Sequence, residues 1–276
     1  MGIISASWLN KFRRVYGVPF FKFEGLLEKV SDYIEAEKTK RSMKRRGKKS
    51  TVITLQGKLL LTLCYLRQYP TYQELGRMFK ISESYANKIF HSMLDILINI
   101  LKVKGRKELM NKDLEVIIID ATEQPIERPV KGQKAYYSGK KKQHTIKTQL
   151  VTDKFGLEIL ALNCQKGHIH DFRVLKDSQL PIHHDIKKLL DSGYQGVHKI
   201  YENTETPIKK TKKKKKLTKE EKKHNRSLAK VRVKVEHVIR KCKIFRISKE
   251  TYRGKHKNCG KIWNVVAGLV NLRYAE

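Results

Sequence analysis

The sequence predicts an α/β protein in which an all-α segment precedes a domain built on a mixed central sheet. Three observations carry this. Between residues 51 and 105, apolar residues recur at helical spacing in three segments with start and stop signals. From residue 113 the texture changes to short apolar runs divided by turn signals and interleaved with helix-like stretches. With 39% apolar residues in 276, the chain can bury a sizeable core. The expected organisation is a helical arm and basic linker over 1–50, a helix-turn-helix segment over 51–110, and an α/β domain over 111–276. A lysine-rich insertion interrupts the last at 205–225.

The first fifty residues open on aromatic and apolar positions (Trp8, Phe12, Phe20, Phe21, Phe23, Leu26, Leu27, Val30), read as a short helical element. A basic tract follows. Residues 38–49 carry eight positive side chains and no acid, either a solvated spacer or an arm lying along phosphates. LQGKLLLTLCYLRQ is the first of the three helices, broken by Tyr69-Pro70. Thr71 opens the second with TYQE, a capping box pairing Thr71 with Glu74, and turns Leu75 and Phe79 inward. Ser82 caps the third, whose apolar stripe is Ile89, Met93, Ile96 and Ile100. A short helix, a tight turn and a longer helix form a helix-turn-helix pattern. It serves DNA binding or mere packing; in the first case Glu83, Ser84, Asn87 and Lys88 face the major groove.

EVIIID reads as a buried strand ending in an acid, QHTIKTQLVTD and LEILALNC as two further strands about a Lys154-Phe155-Gly156 turn. HDFRVLKDS is helix-like, KKLLD a short buried strand again ending in an acid. The insertion holds ten lysines between 209 and 223. A helix is expected over 226–241, and a last one in HKNCGKIWNVVAGLVNLR.

The formal charge of +34 speaks to partners rather than to fold. It calls for a polyanion: nucleic acid first, an anionic membrane surface second. The longest apolar stretches, near 59–66 and 94–101, fall short of the roughly 20 residues a membrane span needs. The N-terminus lacks the order of a signal peptide. Cys64, Cys164, Cys242 and Cys259 form no C-x-x-C pair, which argues against a disulfide framework and a thiolate zinc site. A cytoplasmic, nucleoid-associated setting is expected.

The chemistry concentrates in a few acids. Asp120 and Asp191 each follow an apolar strand, where an open α/β sheet collects ligands. Such an Asp is commonly a turn or helix cap; two on separate strands of a basic protein point towards a metal, because a buried carboxylate needs a cation or donors. In AKVRVKVEHVIRKCKIF, Leu228, Val231, Val235, Val238 and Cys242 share one helical face. Arg232, Glu236 and Lys243 share a second, at about 0°, 40° and 20°. The plain alternative is an i,i+4 surface pair between Arg232 and Glu236.

The strings IIIDATEQPIERP, YYSGKKKQHTIKTQLVTD, GHIHDFRVLKDS, LLDSGYQG and NRSLAKVRVKVEHVIRKCKIF resemble the DDE transposases of bacterial insertion sequences. The nearest group is the insertion-sequence-five branch, related to Harbinger elements, and the resemblance spans about residues 50–276. It implies a ribonuclease-H-like fold and a catalytic, metal-holding triad of Asp120, Asp191 and Glu236. The family's Asp-x-Gly-Tyr-x-Gly motif is matched by Asp191, Gly193, Tyr194 and Gly196. Its helical Tyr-x-x-Arg-x-x-x-Glu-x-x-x-x-x-x-Lys signature is matched by Arg232, Glu236 and Lys243, with Ala229 in place of the Tyr.

The implied cofactor is Mg²⁺, two ions, with Mn²⁺ able to substitute, since hard cations prefer carboxylate oxygens. Arg232 and Lys243 are expected to hold the scissile strand by its phosphates, Arg as a fork and Lys as a point charge. Lys212, Lys213, Lys214, Lys215 and Lys216 are expected to contact phosphates, against the alternative of a solvated loop. His168, His170 and Asp171 are read as the capped start of a helix rather than a zinc site with Cys164. His183, His184 and Asp185 are read as loop residues.

The expected partners are double-stranded DNA, as element ends and target, and a second copy of the chain on that DNA, with no membrane. The expected function is binding of terminal inverted repeats followed by metal-dependent cleavage and strand transfer. A catalytically silent DNA-binding regulator or domesticated derivative is the alternative. A general nuclease on the same fold is a third.

Overall fold

In the computed structural model the described residues are 5–40, 52–111, 113–155, 158–210 and 216–274. The front half is helical: α1 (Ala6–Tyr16), α2 (Phe20–Lys40), α3 (Leu55–Gln68), α4 (Tyr72–Phe79) and α5 (Glu83–Ile100). Each expected start signal is engaged. Thr54 Oγ1 accepts from Gly57 N at 3.1 Å, Thr71 and Glu74 close the capping box, and Ser82 accepts from Tyr85 N. Two helices stand where one N-terminal helical element is expected, because Phe12, Phe23, Leu26 and Val30 are buried against α3 and α5. The basic tract continues from the end of α2 into residues 41–49, which lie outside the described residues.

The back half begins with β1 (Val116–Pro125), α6 (Gln133–Tyr136), β2 (Tyr137–Ser138), β3 (Gln143–Asp153) and β4 (Ile159–Lys166). It continues through α7 (Asp171–Ser178), β5 (Lys187–Leu190), β6 (Thr204–Glu205), α8 (Lys219–Lys243), α9 (Arg246–Lys249) and α10 (Cys259–Tyr274). β3 is the hub of the antiparallel part, pairing β1 on one side and β4 on the other. β5 pairs β1 in parallel and carries β6 beyond it. This mixed sheet, three antiparallel strands followed by parallel ones on the far side of β1, is the ribonuclease-H-like arrangement. The connection from β4 through α7 to β5 supplies the long crossover that parallel pairing needs.

Two expectations are corrected. β1 does not stop at Asp120: it runs on to Pro125 because Ala121 to Pro125 continue the ladder with β3. α8 starts at Lys219, inside the expected 205–225 insertion, because Thr218 and Glu221 form a second capping box. Lys212, Lys213, Lys214 and Lys215 lie outside the described residues, and Lys216 is exposed.

Side chains of β1 alternate between two layers, as strand geometry requires. Ile117 and Ile119 pack with Leu175, Leu190 and Tyr194 on the α7 face. Ile118 packs with Leu189, Leu228 and Val235 on the α8 face. A larger core runs from the N-terminal helices to α10, so the two halves share one apolar interior. Leu101 lies so close to α10 that a Cβ on Gly268 would meet its carbonyl oxygen at 2.3 Å. Further ties are polar. Arg253 Nη2 donates to the carbonyls of Tyr69 (2.8 Å) and Pro70 (2.9 Å) in the turn between α3 and α4, and Arg67 donates to the Ile244 carbonyl. Buried Gln124 accepts from Trp263 Nε1 at 2.9 Å and donates to the carbonyls of Ile247 and Glu250. All four cysteines are free, and no described helix is long and apolar enough to cross a membrane.

Candidate active site

The register of β1 against β5 builds the site. Ile119 lies opposite Leu190 in parallel pairing, so the next residue on each strand, Asp120 and Asp191, emerges beside the other. By alternation both turn towards α8. There Leu228 and Val235 seat the helix on Ile118 and Leu189, and Arg232, between them, reaches Asp191: Nη1 to Oδ1 is 3.2 Å. The Arg232 side chain is only 12% exposed while Asp191 is 40% exposed, so the cation is sheltered and the carboxylate still reaches water.

Asp120 is the more deeply placed acid. Burial pushes its carboxyl up to about 6; the Ala121 N–H (2.8 Å to Oδ1) and Arg232 pull it down, and the charges of Asp191 and Asp171 push it up further. Tyr194 follows in the Asp-x-Gly-Tyr motif. It is fully buried, and its hydroxyl has no hydrogen-bond partner. Burial first, then the charges of Asp171, Asp120 and Asp191, hold its phenol well above the usual range.

Glu236 lies one turn beyond Arg232 on α8. It is exposed, and it forms no hydrogen bond or ion pair with Asp120 or Asp191 among the described residues. The i,i+4 surface pair with Arg232 is absent too, because the guanidinium is committed to Asp191. Lys243 is half-buried at the end of α8, with Nζ 3.4 Å from the Glu123 carbonyl oxygen. It lines a cleft of about 450 Å³ with Thr122, Lys140, Lys141, Lys147 and His168. Burial, and then Lys141, pull its ammonium below the ordinary range. Arg232 and Lys243 therefore serve different places: one fixes a carboxylate, the other walls a basic cleft beside the same strand.

The donor set suits a hard divalent ion. Its acceptors are the carboxylate oxygens of Asp120 and Asp191, and the buried Tyr194 hydroxyl beside them has no partner among the described residues; the Arg232 Nε, also without a partner, is a donor and no ligand. Among the described residues the ligand atoms of one group, His183, His184 and Asp185, come within 4.8 Å of one another; Asp120, Asp191 and Glu236 do not form such a group. The His183 group belongs to a loop before β5, pinned by Lys188 Nζ on the carbonyls of His183 (2.9 Å) and His184 (3.2 Å). Cys164 bonds Thr148 at 3.3 Å, on the layer facing α10, while His168 Nδ1 contacts the Ala135 carbonyl at 2.6 Å, so this zinc alternative is not assembled.

The expected DNA-reading positions stand in different surroundings along α5. Ser84 and Lys88 are exposed, and Lys88 borders a groove with Ile34 and Leu55. Asn87 instead lines a cleft of about 750 Å³ between α5 and residues 252–262, opposite Arg253, Lys255 and Lys257. Asp171 stands at the start of α7, as its sequence context predicts, and the sequence offers no sign of the nearly buried Lys147 that pairs with it. The fold also brings Asp171 of GHIHD against Gly193 of LLDSGYQG: a Cβ there would stand 2.9 Å from Asp171 Oδ2.

Comparison with known proteins gives the family. Residues 119–271 match the family model of the DDE superfamily endonuclease, and residues 51–102 match the helix-turn-helix of DDE superfamily endonuclease. The chain is 39% identical over 270 residues to a probable transposase for insertion sequence element IS702 from Microchaete diplosiphon, covering 96% of this chain and 95% of that one. With the sheet, the paired aspartates and the helix-turn-helix in place, the chain belongs to the DDE transposases of insertion sequences.

Proposed function

We propose that this protein binds the terminal inverted repeats of its insertion sequence through the helix-turn-helix and cuts and joins DNA at Asp120, Asp191 and Glu236. The supporting observation is the parallel register that sets Asp120 and Asp191 side by side under Arg232. Asp120 and Asp191 hold Mg²⁺, or Mn²⁺ in its place, from the strand side, and Glu236 does so from α8. Divalent ions held there would supply Lewis-acid activation of a water or 3′-hydroxyl and charge neutralisation at the leaving oxygen. Arg232 keeps Asp191 aimed and blocks its rotation into solvent. Lys243 and the basic cleft beside it bind the strand through its phosphates, and Ser84, Asn87 and Lys88 meet the element ends. Two copies of the chain bring the two ends together.

The test is a strand-cleavage and strand-transfer assay on DNA carrying the element ends, with and without Mg²⁺. Wild type is expected to cut at the ends only with metal. Asp120→Ala, Asp191→Ala and Glu236→Ala are each expected to abolish cutting while retaining end binding in a gel shift. End binding without cutting by the wild type would make the protein a silent regulator. Cutting without regard to end sequence would make it a general nuclease.

A further inference from the structure

Asp171 is the first residue of α7, on the opposite side of the sheet from α8. Its Oδ1 lies 2.8 Å from Lys147 Nζ, and that lysine is itself only 9% exposed. Lys147 has further fixed partners, the Ile169 carbonyl at 2.7 Å and Glu123 at 3.7 Å. One nearly buried cation thus holds two acids, and it leaves the other oxygen of Asp171 unpaired with it. That Oδ2 packs against Gly193, two residues past Asp191: a Cβ there would stand 2.9 Å from it. β5 ends at Leu190, so nothing of that strand separates the two layers at this level.

The second observation is independent of the acids. Tyr194, next to Gly193 and completely buried on the α7 face with Ile119, Leu175 and Leu190, has a hydroxyl without any partner among the described residues. An unpaired buried donor costs about 1–3 kcal/mol in a site that offers it nothing. Beside a hydrated ion it has a water oxygen or a carboxylate oxygen to donate to, and Mg²⁺ characteristically keeps several waters.

We infer that Asp171 is a fourth carboxylate of the divalent-ion site, positioned by Lys147 and by the bare Gly193 backbone, with the Tyr194 hydroxyl as its companion donor. Asp171 and Tyr194 are positioning residues that act on the ion's water shell from the α7 side, while Glu236 approaches from the α8 side. The motif spacing follows: a side chain at position 193 would push Asp171 away. The inference rests on the metal-site reading proposed above.

Mn²⁺ is titrated into the full chain without DNA, with the free ion read by electron paramagnetic resonance, and metal-free melting is recorded alongside. Asp171→Asn and Gly193→Ala are each expected to weaken Mn²⁺ binding about tenfold or more, the range typical of groups that orient a metal's ligands. Tyr194→Phe is expected to weaken it while leaving the melting temperature unchanged or higher, which a merely structural tyrosine does not do. Gly193→Ala keeps every carboxylate and decides the matter if Asp171→Asn fails to fold. Wild-type affinity in Asp171→Asn or Gly193→Ala, with Asp120→Asn impaired, overturns the inference and leaves the metal-site reading standing. Wild-type affinity in Asp120→Asn overturns both.

Discussion

Arg232 Nη1 lies 3.2 Å from Asp191 Oδ1, and this contact decides how α8 and β5 read together. It removes the guanidinium from Glu236 one turn away and turns the signature helix towards the strand ends. Arg232→Met should therefore uncouple Asp191. Asp191 is 40% exposed, so water screens the loss and stability should fall by only about 1 kcal/mol. Cleavage should fall at least about a hundredfold, because a misplaced metal carboxylate affects the reacting geometry directly. Urea unfolding and single-turnover cleavage measure the two; a stability loss with intact cleavage would assign Arg232 to the fold alone.

Asp120 gives a pH test. Its carboxyl titrates at about 6 in the folded chain, raised chiefly by burial from 3.8. A raised carboxylate means that the folded state binds the proton more tightly. Without metal, stability is therefore lost as pH rises from about 4 to about 6, and the deficit is fully present above that. Asp120→Asn keeps the acceptor for the Ala121 N–H and removes the charge. It should raise metal-free melting at pH 7.5, by up to about 3 kcal/mol in stability, and change little at pH 4. Mn²⁺ should stabilise the wild type and not the variant. A variant equal to wild type at both pH values would show that Asp120 is not strained by burial.

Much of the fold is legible in the sequence because it is local. α3 and β3 fall on the expected strings, and Ser82, Thr71 and Glu74 cap as their sequence signals require. The Asp120–Asp191 pairing is legible from two apolar runs, each ending in an acid. The length of β1 is not, because Ala121 to Pro125 lack an apolar run and are held by pairing with β3. Nor is the Lys147 bridge, which joins residues 24 apart along the chain through their partners on β1, β3 and α7. Asp171 does start a helix, as its sequence context requires; that the same carboxylate also pairs with the nearly buried Lys147 is a fact of three dimensions.

Arg253 clamps the helix-turn-helix to the back half: its guanidinium lies 4.0 Å from the Tyr69 ring centroid while donating to the Tyr69 and Pro70 carbonyls. Arg253→Ala should destabilise the chain by about 1.5–3 kcal/mol, the scale of hydrogen bonds to a charged donor. Arg253→Lys should not restore it, since a point charge cannot fork between two carbonyls. Chemical denaturation of both variants checks this; rescue by lysine would reduce the clamp to simple charge.

Ser84 and Lys88 are exposed on α5, while Asn87 lines the cleft that faces Arg253, Lys255 and Lys257. Asn87→Ala and Ser84→Ala should cost binding to element ends more than binding to random DNA, since base contacts specify and phosphate contacts position. Lys88→Ala should cost both about equally. Gel shifts on the two kinds of duplex distinguish them, and equal losses for Asn87→Ala would remove it from the reading surface.

The lysine tract leaves and re-enters the fold at a fixed place. The Asn225 side chain accepts from Ile208 N at 2.9 Å and donates to the Ile208 carbonyl at 3.0 Å, tying the start of the tract to α8. The Thr218 capping box fixes its other end. Asn225 precedes Arg232 by seven residues, about 10.5 Å along the same side of the helix, so Ile208, just before the tract, is anchored on the side of α8 that carries Arg232 and Glu236. If its lysines neutralise phosphates, the slope of log affinity against log salt should shrink by about 0.9 for every phosphate no longer neutralised. Replacing Lys212, Lys213, Lys214, Lys215 and Lys216 with Ser should flatten that slope on any duplex and leave sequence preference unchanged, because point charges read no base edges. Asn225→Ala should do part of the same with every lysine present, by freeing the base of the tract. Long-range attraction alone is screened beyond about 8–10 Å at physiological salt and does not depend on that anchor. An unchanged slope in both variants would leave the DNA path to Lys243, its basic cleft and the helix-turn-helix.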